Sequence, residues 1–201
     1  AIGAGSVDVA NAGKISVSAE STGGGKTSAI FVNGGGTVKI HNGGSNAPDK
    51  VITLRAKGSN KLEVAVLKAM NGVPNAQSTV AIDGLVDILA DGNNGSNEAV
   101  SIVASKADIG GGSIKAVNGA AYAIRAYGEF NSANRAVVNV NTMKDAEGRI
   151  TGAGNHRTEV EGNIFLGGGM DSGAKAEVNL GLNTKDSYFK GDVAYLNASP
   201  N

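Results

Sequence analysis

Apolar and polar residues alternate along most of this chain with a period of two. Ile15, Val17 and Ala19 alternate with Ser16, Ser18 and Glu20, and Leu62, Val64 and Val66 with Lys61, Glu63 and Ala65. Near the end, Ala176, Val178, Leu180 and Leu182 alternate with Lys175, Glu177, Asn179 and Gly181. Such alternation, with β-branched residues on one parity, predicts strands with one buried face. Nothing sustains the i, i+3, i+4, i+7 pattern of an amphipathic helix. LEVAVLKAM comes nearest, and its Val content and flanking Gly and Asn favour strand.

The strands recur. Ile30 and Ile52 are 22 residues apart, and so are Val80 and Ile102, and Ile102 and Ile124. The interval from Ile52 to Val80 is 28, its extra six residues falling to a loop at NGVPNAQ. A recurring unit too small to bury its own face is the signature of a stacked solenoid. The pattern predicts an all-β fold: one right-handed parallel β-helix (β-solenoid) domain over residues 1–201, about 22 residues per coil. At ~4.8 Å per layer this makes about nine coils and a rod roughly 40 Å long. The punctuation agrees, with 31 Gly for frequent turns and only 3 Pro to interrupt ladder donors.

Composition narrows the class. Aromatics are 4% and Trp is absent, which suits a narrow interior filled by aliphatic side chains. The formal net charge is zero and offers no footprint for nucleic acid. No apolar run reaches the length of a membrane span, so insertion of this segment into a bilayer is not expected. Cys is absent, which removes disulfides, thiol catalysis and thiolate metal sites, and suits a chain that crosses a membrane unfolded. With no signal-like segment at Ala1 and no polar capping unit at either end, the chain is expected to be a processed piece of a longer rod.

The units AIRAYGEF and AVSIVASKA carry a resemblance, as does the run EVEGNIFLGGG with the following AKAEVNLGLNTKDSYFKGDVAYL. Over roughly residues 7–197 the chain resembles the passenger region of bacterial autotransporters (type V secretion), adhesin-like right-handed parallel β-helices. The resemblance implies a secreted passenger displayed on the extracellular side of the outer membrane. Its implied partner is a glycan or protein on a host or neighbouring cell. Self-association is carried as a further expectation. The signal peptide and translocator barrel of a full-length member are not in this sequence.

Several motif-like strings fail on spacing. Gly25-Lys26-Thr27 would need a Gly five residues earlier for a phosphate loop, where Glu20 stands. GGGMDSG at 167–173 is similar to a calcium-binding nonapeptide, but it occurs once and lacks the Gly-x-Asp order. Asp83, Asp87 and Asp91 stand ~13 Å apart along a strand, too far for a catalytic pair. The two His residues, His41 and His156, suggest no metal centre, and no cofactor is expected.

Two constellations remain. With Ile124 and Ala126 inward, Arg125 and Tyr127 face outward side by side and Phe130 lies in the turn beyond. Arg and Tyr dominate binding hot spots, so these three are candidate ligand-binding residues. The plainer alternative has Tyr127 covering a coil edge and Phe130 plugging a corner. In HRTEVEG, Glu159 and Glu161 project from one face ~6.6 Å apart, with His156 and Arg157 upstream. That spacing approaches the separation of a carboxylate pair acting on a glycosidic bond, while a solvated polar face explains the same residues.

Two functions of different class follow. The expected one is non-enzymatic: a surface-displayed or secreted structural and adhesive rod. The alternative is a polysaccharide lyase or glycoside hydrolase, which would use Glu159, Glu161 and His156. Such an enzyme needs a groove walled by long loops, and the sizeable insertions are only those near 71–77 and 142–157. Recognition is therefore expected on the lateral surface or at 142–157, outside the packed interior.

Overall fold

The computed structural model describes residues 5–10, 13–21, 26–42, 50–58, 64–71, 76–92, 97–128, 134–168 and 175–196. These form six coils of three faces each. Coil one holds β1 (Ser6–Ala10), β2 (Ile15–Ser21) and β3 (Ile30–Val32). Coil two holds β4 (Thr37–His41), β5 (Ile52–Gly58) and β6 (Val64–Met70). In coil three, β7 (Thr79–Asp91) spans two faces before β8 (Asn97–Val103); in coil four, β9 (Lys106–Val117) does the same before β10 (Tyr122–Gly128). Coil five opens with β11 (Ala136–Val140) and gives off a hairpin of β12 (Thr142–Lys144) and β13 (Ile150–Ala153). It continues with β14 (Thr158–Glu161) and β15 (Ile164–Gly168). Coil six holds β16 (Ala176–Leu180), β17 (Tyr188–Lys190) and β18 (Val193–Leu196).

Like faces of successive coils pair in parallel. The first face runs β1-β4-β7-β9-β11-β16 and the third β3-β6-β8-β10-β15-β18. The second face, β2-β5-β7-β9-β14-β17, fuses with the first through β7 and β9 into one ten-stranded sheet. The fold is all-β, with the long parallel sheets of a β-helix.

The expected step of 22 residues does not hold. Along the first face, Val9 pairs with Ile40, Ile40 with Ile82, Ile82 with Ile109, Ile109 with Val140, and Val140 with Leu180. The true steps are therefore 31, 42, 27, 31 and 40 residues. The 22-residue spacing linked strands of different faces: Ile30 lies on the third, Ile52 on the second and Val80 on the first. Even Ile102 and Ile124 are offset, because Ile102 stands opposite Ala126 and Ile124 opposite Val100. The physical reason is that apolar-polar alternation is the same on every face, whereas loop lengths between faces vary freely. Six layers rather than nine give a stack of ~24 Å.

Inward rows stack aliphatic on aliphatic. Val17, Leu54, Ile88, Ile114, Val160 and Phe189 follow one another along the second face, and Leu67, Val100, Ile124 and Ile164 along the third. Leu54, Ile88, Ile114, Leu67, Val100 and Ile124 are fully buried. Each such side chain contributes about 1.5–3 kcal/mol through burial. Alternation breaks where the third face begins. Val66, Ala99 and Ala123 are buried next to the equally buried Leu67, Val100 and Ile124, and the pairing skips them. The parity expected around Ala65 and Val66 consequently shifts, and Ala65 is buried. Leu182 was expected inward, but the strand ends at Leu180 and Leu182 is exposed.

The corner between the first and second faces depends on close backbone approach. Gly84 takes φ 103° there. A Cβ at Gly110 in the next coil would meet the Gly84 nitrogen and oxygen at 2.6 Å. Coil five has Asn141 at this corner with φ 54°, and there the hairpin leaves the stack.

Candidate functional site

The insertion 142–157 is an antiparallel arm on otherwise parallel sheets, with Thr142 opposite Ala153 and Met143 opposite Gly152. Its turn, KDAEGR, is built by Asp145. The Asp145 carboxylate accepts from the backbone N–H of Glu147 at 3.1 Å and of Arg149 at 2.8 Å, and from Arg149 Nε at 2.7 Å. Arg149 thereby holds the Asp145 carboxyl below its usual value. Gly148 supplies the left-handed residue the turn needs, at φ 79°.

Asn141 fixes the base of the arm. Its Nδ2 donates to the carbonyls of His156 at 2.7 Å and Gly181 at 2.8 Å, and its Oδ1 accepts from the His156 N–H at 3.1 Å. One buried side chain thus ties both ends of the arm to the next coil. On the outer surface of the first face, Asn179 Nδ2 donates to Asn139 Oδ1 at 2.9 Å, and Asn139 Nδ2 to Asp108 Oδ1 at 2.7 Å. Lys144, on the arm, bonds the same Asp108 oxygen, and Lys106 Nζ lies 3.3 Å from Asp108 Oδ2. Burial pushes the Asp108 carboxyl up, but the hydrogen bonds from Lys144 and Asn139 and the nearby ammoniums outweigh it, so the net shift is downward. The arm is clamped to the face through this charge.

Clefts open on both sides of the arm. One, of about 620 Å³, lies over β9, β11 and β16 and is lined by Lys106, Arg135, Val137, Asn139, Lys144, Arg149, Ile150 and Glu177 among others. The other, about 310 Å³, is lined by His41, Asp83, Asp108, Thr142 and Lys144 among others. His41 there sits between two carboxylates, Nε2 3.7 Å from Asp8 and Nδ1 3.8 Å from Asp83. Among the described residues no group of three or more His, Asp or Glu is placed to hold a metal ion. No helix among them is long and apolar enough to cross a membrane.

The residues singled out from sequence lie elsewhere. Glu159 and Glu161 do project from one surface of β14, with Thr158 and Val160 inward. Glu159 accepts from Tyr188 OH at 3.3 Å, pairs with Lys115 at 3.1 Å and pairs closely with Arg157. Glu161 pairs with Lys190 at 3.2 Å and Lys115 at 3.9 Å. The Glu159 carboxylate in turn raises the Lys115 ammonium above its usual value. Both carboxylates are thus engaged in ion pairs with Lys115, Arg157 and Lys190 along the outer surface. His156 is held at the arm base through its main chain by Asn141.

Arg125 and Tyr127 share the outer surface of the third face. The guanidinium lies 5.3 Å from the Tyr127 ring centroid and 3.6 Å from the carboxylate of the buried Glu98. The Tyr127 ring covers Gly167 of the next coil, where a Cβ would meet it at 2.8 Å. Phe130 and most of the loops at 71–77 and 167–173 lie outside the described residues. Sequence reasoning missed Asp108, Asn139, Asn141 and Lys144 as a group. The turn chemistry of DAEG between TMK and RIT was a readable hairpin signal, but its partners on other coils were not.

In comparisons with known proteins, no family model, no curated protein and no solved structure matches the chain.

Proposed function

We propose that this chain is a structural and adhesive β-helix rod of the autotransporter-passenger kind, displayed or released at a bacterial surface, and that it recognises a cell-surface glycan or protein with its lateral surface. The observation that carries this reading is the arm at 142–153, which raises the clefts of an otherwise flat first face. Flat polar faces bind weakly per copy and gain strength by array. The enzymatic alternative draws little support, because Glu159 and Glu161 each sit on cations. The test compares protein arrayed on beads with free protein for attachment to glycan arrays and to cells. The reading expects arrayed attachment and no glycan degradation. Loss of a measurable glycan-cleaving activity in Glu159→Gln or Glu161→Gln would overturn it.

A further inference from the structure

We propose that the 620 Å³ cleft beside the arm binds a carboxylate-bearing oligosaccharide, an inference that rests on recognition by the lateral surface. The volume falls within the range of pockets that take small ligands. The placement of charge selects the ligand: the lining holds Lys106, Arg135, Lys144 and Arg149 against Glu177, while their other partners, Asp108, Asp145 and Glu147, lie outside the lining.

These cations fall into two kinds. Lys106 and Lys144 both face the one carboxylate of Asp108, so that group of three carries a net positive charge beneath the arm. Arg135 is held loosely, and Arg149 is held by the arm's own turn. Arg135 Nη1 is 4.0 Å from Glu177 Oε2, and Arg149, three-quarters exposed, pairs with Asp145 and Glu147 on the arm's own turn. Exposed pairs of this kind stabilise little. The Arg135 guanidinium can therefore turn to a ligand carboxylate at small cost and grip it bidentately, with Arg149 adding charge beside it in the same lining.

The floor of the cleft favours a saccharide over an acidic peptide. β11 is laddered to β9 on one side and β16 on the other, so its main chain has no ladder to offer an extended peptide. On this floor recognition falls to side chains, and the exposed Ile150, which shares the lining with Val137, provides an apolar surface for the C–H face of a sugar ring, although the outer edges of the β12–β13 hairpin stay unladdered.

The experiment titrates the free protein, by calorimetry or NMR, with trigalacturonate, its methyl ester and a tri-glutamate peptide. Trigalacturonate is expected to bind, and the neutral ester to bind about tenfold more weakly or not at all, since the ester removes charge-assisted hydrogen bonds. Arg135→Ala, which leaves the arm's turn untouched, should weaken binding by about tenfold, and Arg149→Gln similarly. Hydrogen exchange at 142–153 verifies that the arm keeps its fold in both. Absent binding, equal binding of acid and ester, or unchanged affinity in both folded variants would overturn the proposal. Tighter binding of tri-glutamate would overturn it in favour of a peptide site. Arrayed adhesion that survives in both variants would discard the cleft and keep the rod reading; arrayed adhesion absent from the parent protein would discard the rod reading itself.

Discussion

Replacing Asn141 should uncouple the arm from the coils more than any other single polar substitution. Its side chain makes three hydrogen bonds, two to His156 and one to Gly181, and the residue is 2% exposed. Without the amide, the buried Gly181 carbonyl loses a donor, which costs about 1–3 kcal/mol, while the half-buried His156 groups regain water at about 0.5–1 kcal/mol each. Asn141→Gly should therefore lose about 3 kcal/mol. Asn141→Ala adds the strain of a Cβ at φ 54°, for which Asn is better suited, and should lose about 1 kcal/mol more. Urea unfolding gives the two differences, and about 3 kcal/mol corresponds to roughly 6–12 °C in a chain of this size. Hydrogen exchange should show residues 142–156 opening before residues 97–103, since the lost bonds lie at the arm base. Wild-type midpoints in both variants would refute the argument. Equal losses in Gly and Ala would refute its backbone part alone.

Ile88→Ala, in the fully buried second-face row, should cost about 2–5 kcal/mol, measured by urea unfolding. Asp108 has a folded pKa below its unfolded one, so its contribution is present above about pH 4 and is lost as pH falls through the folded value. Urea midpoints should drop on acidification over that window, and Asp108→Asn should flatten the drop. Arg125→Ala with Tyr127→Ala should destabilise by about 1–3 kcal/mol, because the pair covers Gly167 and the Glu98 carboxylate; a neutral effect in thermal unfolding would mean these side chains are free for a ligand.

The alternation of Ile15, Val17 and Ala19, and of Ala176, Val178 and Leu180, was enough to predict strands, their buried parity and a stacked all-β fold. Those properties are local, since side chains along a strand point to alternate sides whatever lies above or below. The same locality hid the coil. Ile30, Ile52 and Val80 carry one pattern on three faces, and only the ladder shows that Ile30 rests on Leu67 and Ile52 on Val86. Register depends on loop length and on corners such as Gly84 over Gly110, where backbones meet from different turns of the chain. The outward positions of Arg125, Tyr127, Glu159 and Glu161 were likewise legible from parity alone. What surrounds them was not, because Lys115, Glu98 and Tyr188 reach them from other coils. The arm follows the same division. Its turn is written in KDAEGR, but Asp108 and Gly181, which hold it to the rod, lie 36 residues from Lys144 and 40 residues from Asn141, and only stacking brings them together.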